Sequence, residues 1–188
     1  MNLFNAKEGC LLIATGEKHR LEAIKNVAHM RHFINNRPIF LVTDDSTEVP
    51  YGLFDKIIKH PNAIGSYRDK IEPLLNLPFQ RTLFLDTDLE IIQPIDDIFK
   101  ILKELDVVGC HAPVRWCQWK DPVIPEGFCE LNSGVIGLRR SRRVKILIKR
   151  WLKIYDIAGV TFDQASLRSA LWWATKNISL RSWVLPPE

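Results

Sequence analysis

Short apolar runs alternate with amphipathic stretches along this chain, the pattern of an α/β domain built around a mostly parallel central sheet flanked by helices. Cys10 to Ala14 reads as the first strand and Ile39 to Thr43 as the second, flanked by Asn35, Asn36, Arg37 and Pro38 before it and Asp44, Asp45 and Ser46 after it. Between them, His19 to Phe33 reads as a helix with Leu21, Ile24 and Ala28 on one face. Asp55 to Lys59 predicts a third short strand, Tyr67 to Leu75 a helix, and Thr82 to Leu85 a buried strand ending at Asp86. A helix should begin near Asp96 and Asp97, which are placed to cap it, and Asp106 to Cys110 should form a strand. Ala112 to Phe128, rich in Pro and Trp and without a period, reads as a long loop. Leu131 to Leu138 predicts a strand, Ser141 to Ile157 and Phe162 to Ala174 helices, and Ile178 to Leu185 a last strand.

With 188 residues, 46% hydrophobic and 26% charged, the sequence fits one globular domain spanning 1–188 and excludes disordered and collagen-like classes. No apolar run approaches the roughly 20 residues of a membrane span. The first residues lack the basic start and apolar segment of a secretion signal, which sets the expectation of a cytoplasmic protein. The four cysteines, Cys10, Cys110, Cys117 and Cys129, form neither a disulfide framework nor, with His111, the close pair of a structural zinc site; packing is the expectation for them. Trp116 and Trp119 fit either a sugar-stacking role or an anchoring one.

A net charge of +4 does not imply a nucleic-acid partner, but its distribution is uneven. Eight basic residues fall between Arg139 and Lys153, around an apolar stripe of Val144, Leu147, Ile148, Trp151 and Tyr155. The stripe should pack on the sheet and leave the cations outside, as a solvated face or as a peripheral contact with anionic membrane lipid. Lipid is weighted above nucleic acid because no recognition motif accompanies the charge.

The segment Thr82-Leu83-Phe84-Leu85-Asp86-Thr87-Asp88-Leu89-Glu90 carries the most chemistry. An apolar strand delivers Asp86 to its carboxyl end, where α/β proteins collect ligands. If the chain stays extended, Asp88 points the same way. Two carboxylates about 4 Å apart repel by about 4 kcal/mol at an effective dielectric near 20, so the pair calls for a proton, a basic partner or a cation. Oxygen ligands of this kind suit Mg²⁺ or Mn²⁺. A solvated turn is the alternative reading of the same residues.

Three segments in this order, PFQRTLFLDTDLEII from Pro78, ELNSGVIGLRRS from Glu130 and FDQASL from Phe162, resemble nucleotide-diphospho-sugar transferases of the GT-A fold, and family 8 glycosyltransferases in particular. The spacings, 44 residues from Asp88 to Asn132 and 31 from Asn132 to Asp163, are similar to that architecture. The resemblance implies that Asp86 and Asp88 hold Mn²⁺ or Mg²⁺ on the donor diphosphate, and that Ala14, Thr15 and Gly16 lie near the nucleotide. It places Lys70 on the diphosphate or donor sugar, and Asn132 and Ser133, with Gly134, along the sugar. Asp163 and Gln164 become the acid that bonds sugar hydroxyls and the amide near the reacting carbon. From the residues alone, Lys70 is equally an exposed charge on an amphipathic helix, Gly134 can mark a bulge, and Thr161-x-x-Gln164 is a capping box. Many such enzymes add a C-terminal histidine to the metal site, whereas the last of the five histidines here is His111.

The expected function is therefore metal-dependent transfer of a sugar, with retention by analogy to family 8, from a UDP-sugar to a hydroxyl acceptor, a glycan or lipid-linked molecule. The alternatives are a noncatalytic sugar-nucleotide-binding or interaction module, and a metal-dependent phosphoryl or nucleotidyl transferase using the same carboxylates.

Overall fold

The computed structural model describes residues 6–115, 119–159 and 162–186. The strands are β1 (Glu8–Ala14), β2 (Ile39–Thr43), β3 (Lys56–Lys59), β4 (Arg81–Leu85), β5 (Val107–His111), β6 (Leu131–Arg139) and β7 (Ser182–Leu185). They form one continuous sheet in the order β3-β2-β1-β4-β6-β5-β7. The helices are α1 (Glu17–Met30), α2 (Arg68–Ile71), α3 (Asp96–Glu104), α4 (Arg142–Ala158) and α5 (Gln164–Ile178). No described helix is long and apolar enough to cross a membrane.

Period-two alternation along β1 explains the layering. Leu11 and Ile13 enter one core with α2, α4 and α5; Cys10, Leu12 and Ala14 enter the other with α1 and α3. Both faces are thus covered, which is why the strand reads as an unbroken apolar run. β1 pairs in parallel with β2 and β4, and β2 with β3, whereas β6 runs antiparallel to both β4 and β5. The reversed strand brings its first residues, Leu131 to Ser133, to the carboxyl end of β4. Pairing of Leu85 with Val135 continues into a hydrogen bond from the Asp86 amide to the Gly134 carbonyl, 2.8 Å long.

Several sequence expectations shift. α1 buries Arg20, Ala23, Val27 and Met30, while Leu21 and Ala28 are exposed, because the face that meets the sheet lies about one position back from the expected one. Arg20 on that buried side ties its guanidinium to Asp44 and Glu48. The helix expected from Tyr67 to Leu75 is one α-turn followed by a 3₁₀ segment, Glu72–Asn76, as befits Pro73, which lacks the amide needed to continue an α-helix. Asp96 and Asp97 sit in the first turn of α3 without capping it, and Asp96 pairs with Arg37 instead. α5 runs on to Ile178 and closes on Ser179 in the left-handed conformation, so β7 begins only at Ser182. The long loop holds no helix or strand among its described residues, and Arg168 fastens it through the carbonyls of Phe128 (2.9 Å) and Pro125 (2.7 Å).

The expected stripe of α4 packs inward: Val144, Leu147, Ile148 and Trp151 are buried and Tyr155 lies against the core. Trp151 also couples α4 to the start of α5. Its indole N–H donates to the Asp163 carbonyl (3.0 Å) and to Ser166 Oγ (3.1 Å). Trp151→Phe should lose these bonds and a ring, costing about 1–3 kcal/mol in a urea unfolding titration.

Candidate functional site

At the carboxyl ends of β1 and β4 the surface opens into a cleft of about 450 Å³. Thr15, Gly16, Tyr67, Lys70, Asp86 and Asp88 line it. The turn after β1 is what makes room there. Gly16 has φ 80° and ψ 156°, a conformation a side chain would strain, and it starts α1 so that the helix's first amides border the cleft.

Two acids hold the cleft's walls. Asp44 takes the Gly16 amide on both carboxylate oxygens (3.2 and 3.1 Å) and pairs with Arg20 at 2.9 Å. Asp69, buried at the start of α2, accepts from the amides of Ile64 (3.0 Å) and Gly65 (2.8 Å) and from the Thr15 hydroxyl (3.1 Å). Thr87, between Asp86 and Asp88, is tied to α1: its hydroxyl donates to Glu22 (2.7 Å) and its carbonyl accepts from Asn26 (2.8 Å). Sequence reading passed over Asp44, Asp69, Glu22 and Thr87. Only an acid directly after an apolar strand, as at Asp44, offered any sign of one of them.

A cluster of charges centred on Lys70 runs from the cleft lining into the interior. Its ammonium is 3.3 Å from Asp86 Oδ2, 3.3 Å from Asp163 Oδ2 and donates to Ser133 Oγ at 3.0 Å. It also lies 5.2 Å from the centre of the Tyr67 ring. Ser133 in turn donates to Asp163 Oδ1 (3.0 Å). Burial opposes the Lys70 charge, but Asp163 and Asp86 outweigh it and raise the ammonium's pKa. Asp163 is 1% exposed, and burial pushes its carboxyl up against the pull of Lys70 and the Ser133 hydroxyl. The second oxygen of Asp163 has the ammonium nearby but no aligned hydrogen bond among the described residues. Lys70 is thus a buried counterion and not an exposed helix charge.

The other candidate residues fall into two groups. Thr15, Gly16, Lys70, Asp86 and Asp88 share the cleft, whereas Ala14 is wholly buried in the α1 core. Ser133, Asp163 and Gln164 form a layer below, reached from the cleft through Lys70. Gln164 Oε1 accepts the Ser133 amide (3.3 Å), and near its side chain lies Glu130, a buried acid that burial pushes up. Asn132 Oδ1 accepts the Gly134 amide at 2.8 Å. At Gly134 an added Cβ would stand 2.6 Å from Asp86 Oδ2, so glycine is needed here for the close approach of that carboxylate. Thr161, the first residue of the expected capping box, lies outside the described residues, as do Trp116 and Cys117.

No group of three or more metal-ligating side chains occurs among the described residues. The oxygen donors present are Asp86 and Asp88, and across the cleft lining Glu17, Asp69, Asp86 and Asp88 outnumber Lys18 and Lys70. Such a surplus of acid would repel an anionic diphosphate. The residues fit a divalent cation that takes one or two carboxylates and completes its shell with phosphate oxygens and water.

No protein-family model matches the sequence, and no curated protein matches it significantly. Solved structures do resemble the fold. The glycosyltransferase GlyE of Streptococcus pneumoniae TIGR4 aligns with a TM-score of 0.61 and 15% identity over 96% of this chain and 45% of its own. The 2-C-methyl-D-erythritol 4-phosphate cytidylyltransferase of Thermus thermophilus gives 0.56 and 16% over 96% of this chain and 89% of its own. The mannosyltransferase PcManGT of Pyrobaculum calidifontis, solved with GDP-Man and Mn²⁺, gives 0.52 and 10% over 98% and 56%. The chain spans under half the length of GlyE. The architecture is the GT-A fold, and the likeness points to no narrower group such as family 8.

The charges make two expectations testable. Lys70→Met should destabilise the protein by about 3–5 kcal/mol by stranding Asp163, and adding Asp163→Asn should recover most of that loss in denaturant titrations. Asp44 is lowered below the usual carboxylate range: burial works against this, but the Gly16 amide and Arg20 prevail. Its contribution is therefore present above about pH 4 and is lost as pH falls through its lowered value. The stability gap between wild type and Asp44→Asn, about 1–2 kcal/mol at pH 7, should shrink below pH 4.

Proposed function

We propose that this chain is a glycosyltransferase that moves a sugar from a nucleotide-diphosphate sugar, with UDP-sugars the first donors to test, onto a hydroxyl acceptor such as a glycan. The observation that carries this reading is the meeting of Asp86 and Asp88 with Lys70 and the opening turn of α1 in one cleft. The first amides of α1 border the space that donor phosphates would enter, and the helix dipole favours negative charge there. Asp86 and Asp88 would hold Mn²⁺ or Mg²⁺. When bound, the ion supplies Lewis-acid stabilisation to the departing nucleoside diphosphate. Lys70 adds a fixed positive charge beside the same leaving group, and Asp163 and Ser133 hold its ammonium in place. In this reading Asp163 and Gln164 act as positioning residues for Lys70 and the Asn132-Ser133-Gly134 strand, since both lie below the cleft. The resemblance to family 8, and with it retention of configuration, is part of the proposal.

The likeness to the cytidylyltransferase, which extends over 89% of that enzyme, favours nucleotidyl transfer as the second reading. Product analysis separates the two: glycosyl transfer releases a nucleoside diphosphate, and nucleotidyl transfer releases pyrophosphate. Tight donor binding with neither product would instead identify a noncatalytic module.

In a thermal-shift series, a UDP-sugar with Mn²⁺ should stabilise the protein, by about 2.7 kcal/mol near 100 times Kd, and omission of the metal should remove most of that gain. Asp88→Asn, an exposed position, should weaken metal-dependent donor binding about tenfold or more without changing the unliganded midpoint. Equal binding by Asp86→Asn, Asp88→Asn and wild type would overturn the site.

A further inference from the structure

Helix α4 carries six cations and one carboxylate, so the remainder of the chain holds slightly more acid than base and this one helix accounts for the whole positive charge. Two of the six are engaged: Arg143 reaches buried Asp106 (3.8 Å), and Arg150 stacks over Trp173 (5.1 Å). Arg142, Lys145, Lys149 and Lys153 have no ion pair among the described residues, and all four are exposed. The buried stripe lies on the opposite side, so these cations point away from the core.

The outward face is not purely polar. At successive helical spacings its ridge reads Arg142, Ile146, Lys149, Lys153, Ile157, with Ile146 half-buried and Ile157 74% exposed. Its cations extend over about 16 Å of helix. An isoleucine standing in water beside unpaired lysines gains nothing from a nucleic-acid phosphate backbone. It does gain from a bilayer, where apolar side chains enter the acyl boundary while lysines remain among anionic headgroups.

The helix also ends beside the cleft. Asp156 accepts from Arg68 Nε (3.1 Å), and Arg68 follows the cleft residue Tyr67. Tyr155 stands beside Ser66, another residue of the cleft wall.

We propose that the outer face of α4 docks on an anionic lipid bilayer, with Arg142, Lys145, Lys149 and Lys153 on the headgroups and Ile157 inserted, so that the cleft opens near the membrane surface. Docking by this face does not depend on the reaction assigned to the cleft. The test is co-sedimentation of the purified chain with phosphatidylcholine vesicles, with and without phosphatidylglycerol, across a salt series. Binding should require phosphatidylglycerol and fall as salt rises. Each cation near such a surface is worth about fivefold in partitioning, so Lys149→Glu with Lys153→Glu should reduce binding about 25-fold or more. Ile157→Ser, which leaves the charge unchanged, should also reduce it. The folded midpoint and nucleotide-sugar binding should be unaffected in both variants, and Asp88→Asn should sediment like wild type. Equal binding to pure phosphatidylcholine, or undiminished binding by either surface variant, would overturn the proposal. So would release of the chain from vesicles by single-stranded RNA at the same salt, which would assign the face to nucleic acid.

Discussion

The arrangement of the cleft depends on one ammonium held between two carboxylates. Asp163 is sealed from water and Asp86 lines the cleft, and the Lys70 ammonium lies between the two carboxylates. At about 3.3 Å and an effective dielectric near 20, each contact is worth about 5 kcal/mol of attraction before desolvation is subtracted. Much of that gain offsets burial of the charges, so the cluster contributes more to geometry than to net stability. It fixes α2, β4, β6 and the start of α5 relative to one another at the point where a ligand would enter.

That geometry follows from a topological choice. β6 runs against its neighbours, and only in that direction does the Asn132-Ser133-Gly134 segment fall beside Asp86. Gly134 then leaves space for the aspartate's carboxylate, while Ser133 bridges Lys70 and Asp163. Trp151 links the same place to the basic helix, since its indole holds the backbone of Asp163. The cleft and the cationic surface are therefore parts of one packed unit.

The acid surplus bears on the chemistry. Lys70 already satisfies Asp86, which leaves Asp88 as the carboxylate of the pair without a cation partner among the described residues. The cleft presents the first α1 residues on one side and negative side chains on the other. In the proposed reaction, a divalent ion brought in with the donor phosphates would reconcile the two without a protein cage of three or more ligands.

Element order, the carboxyl ends of most strands and the amphipathic side of α4 were legible along the chain, because they depend on local periodicity and on which residues tolerate a turn. Asp86 and Asp88 stood out for the same reason: an apolar strand ending in acid is a local feature. The buried face of α1 was misplaced, with Leu21 and Ala28 exposed, because several faces of a mildly amphipathic helix suit one sequence and the sheet selects among them. The partnership of Lys70 with Asp86 and Asp163, and the props supplied by Asp44, Asp69 and Glu22, came from the packing of distant segments. Charges 16 to 93 positions apart in sequence reveal nothing of their pairing until the reversed strand and the packed helices bring them within a few ångströms.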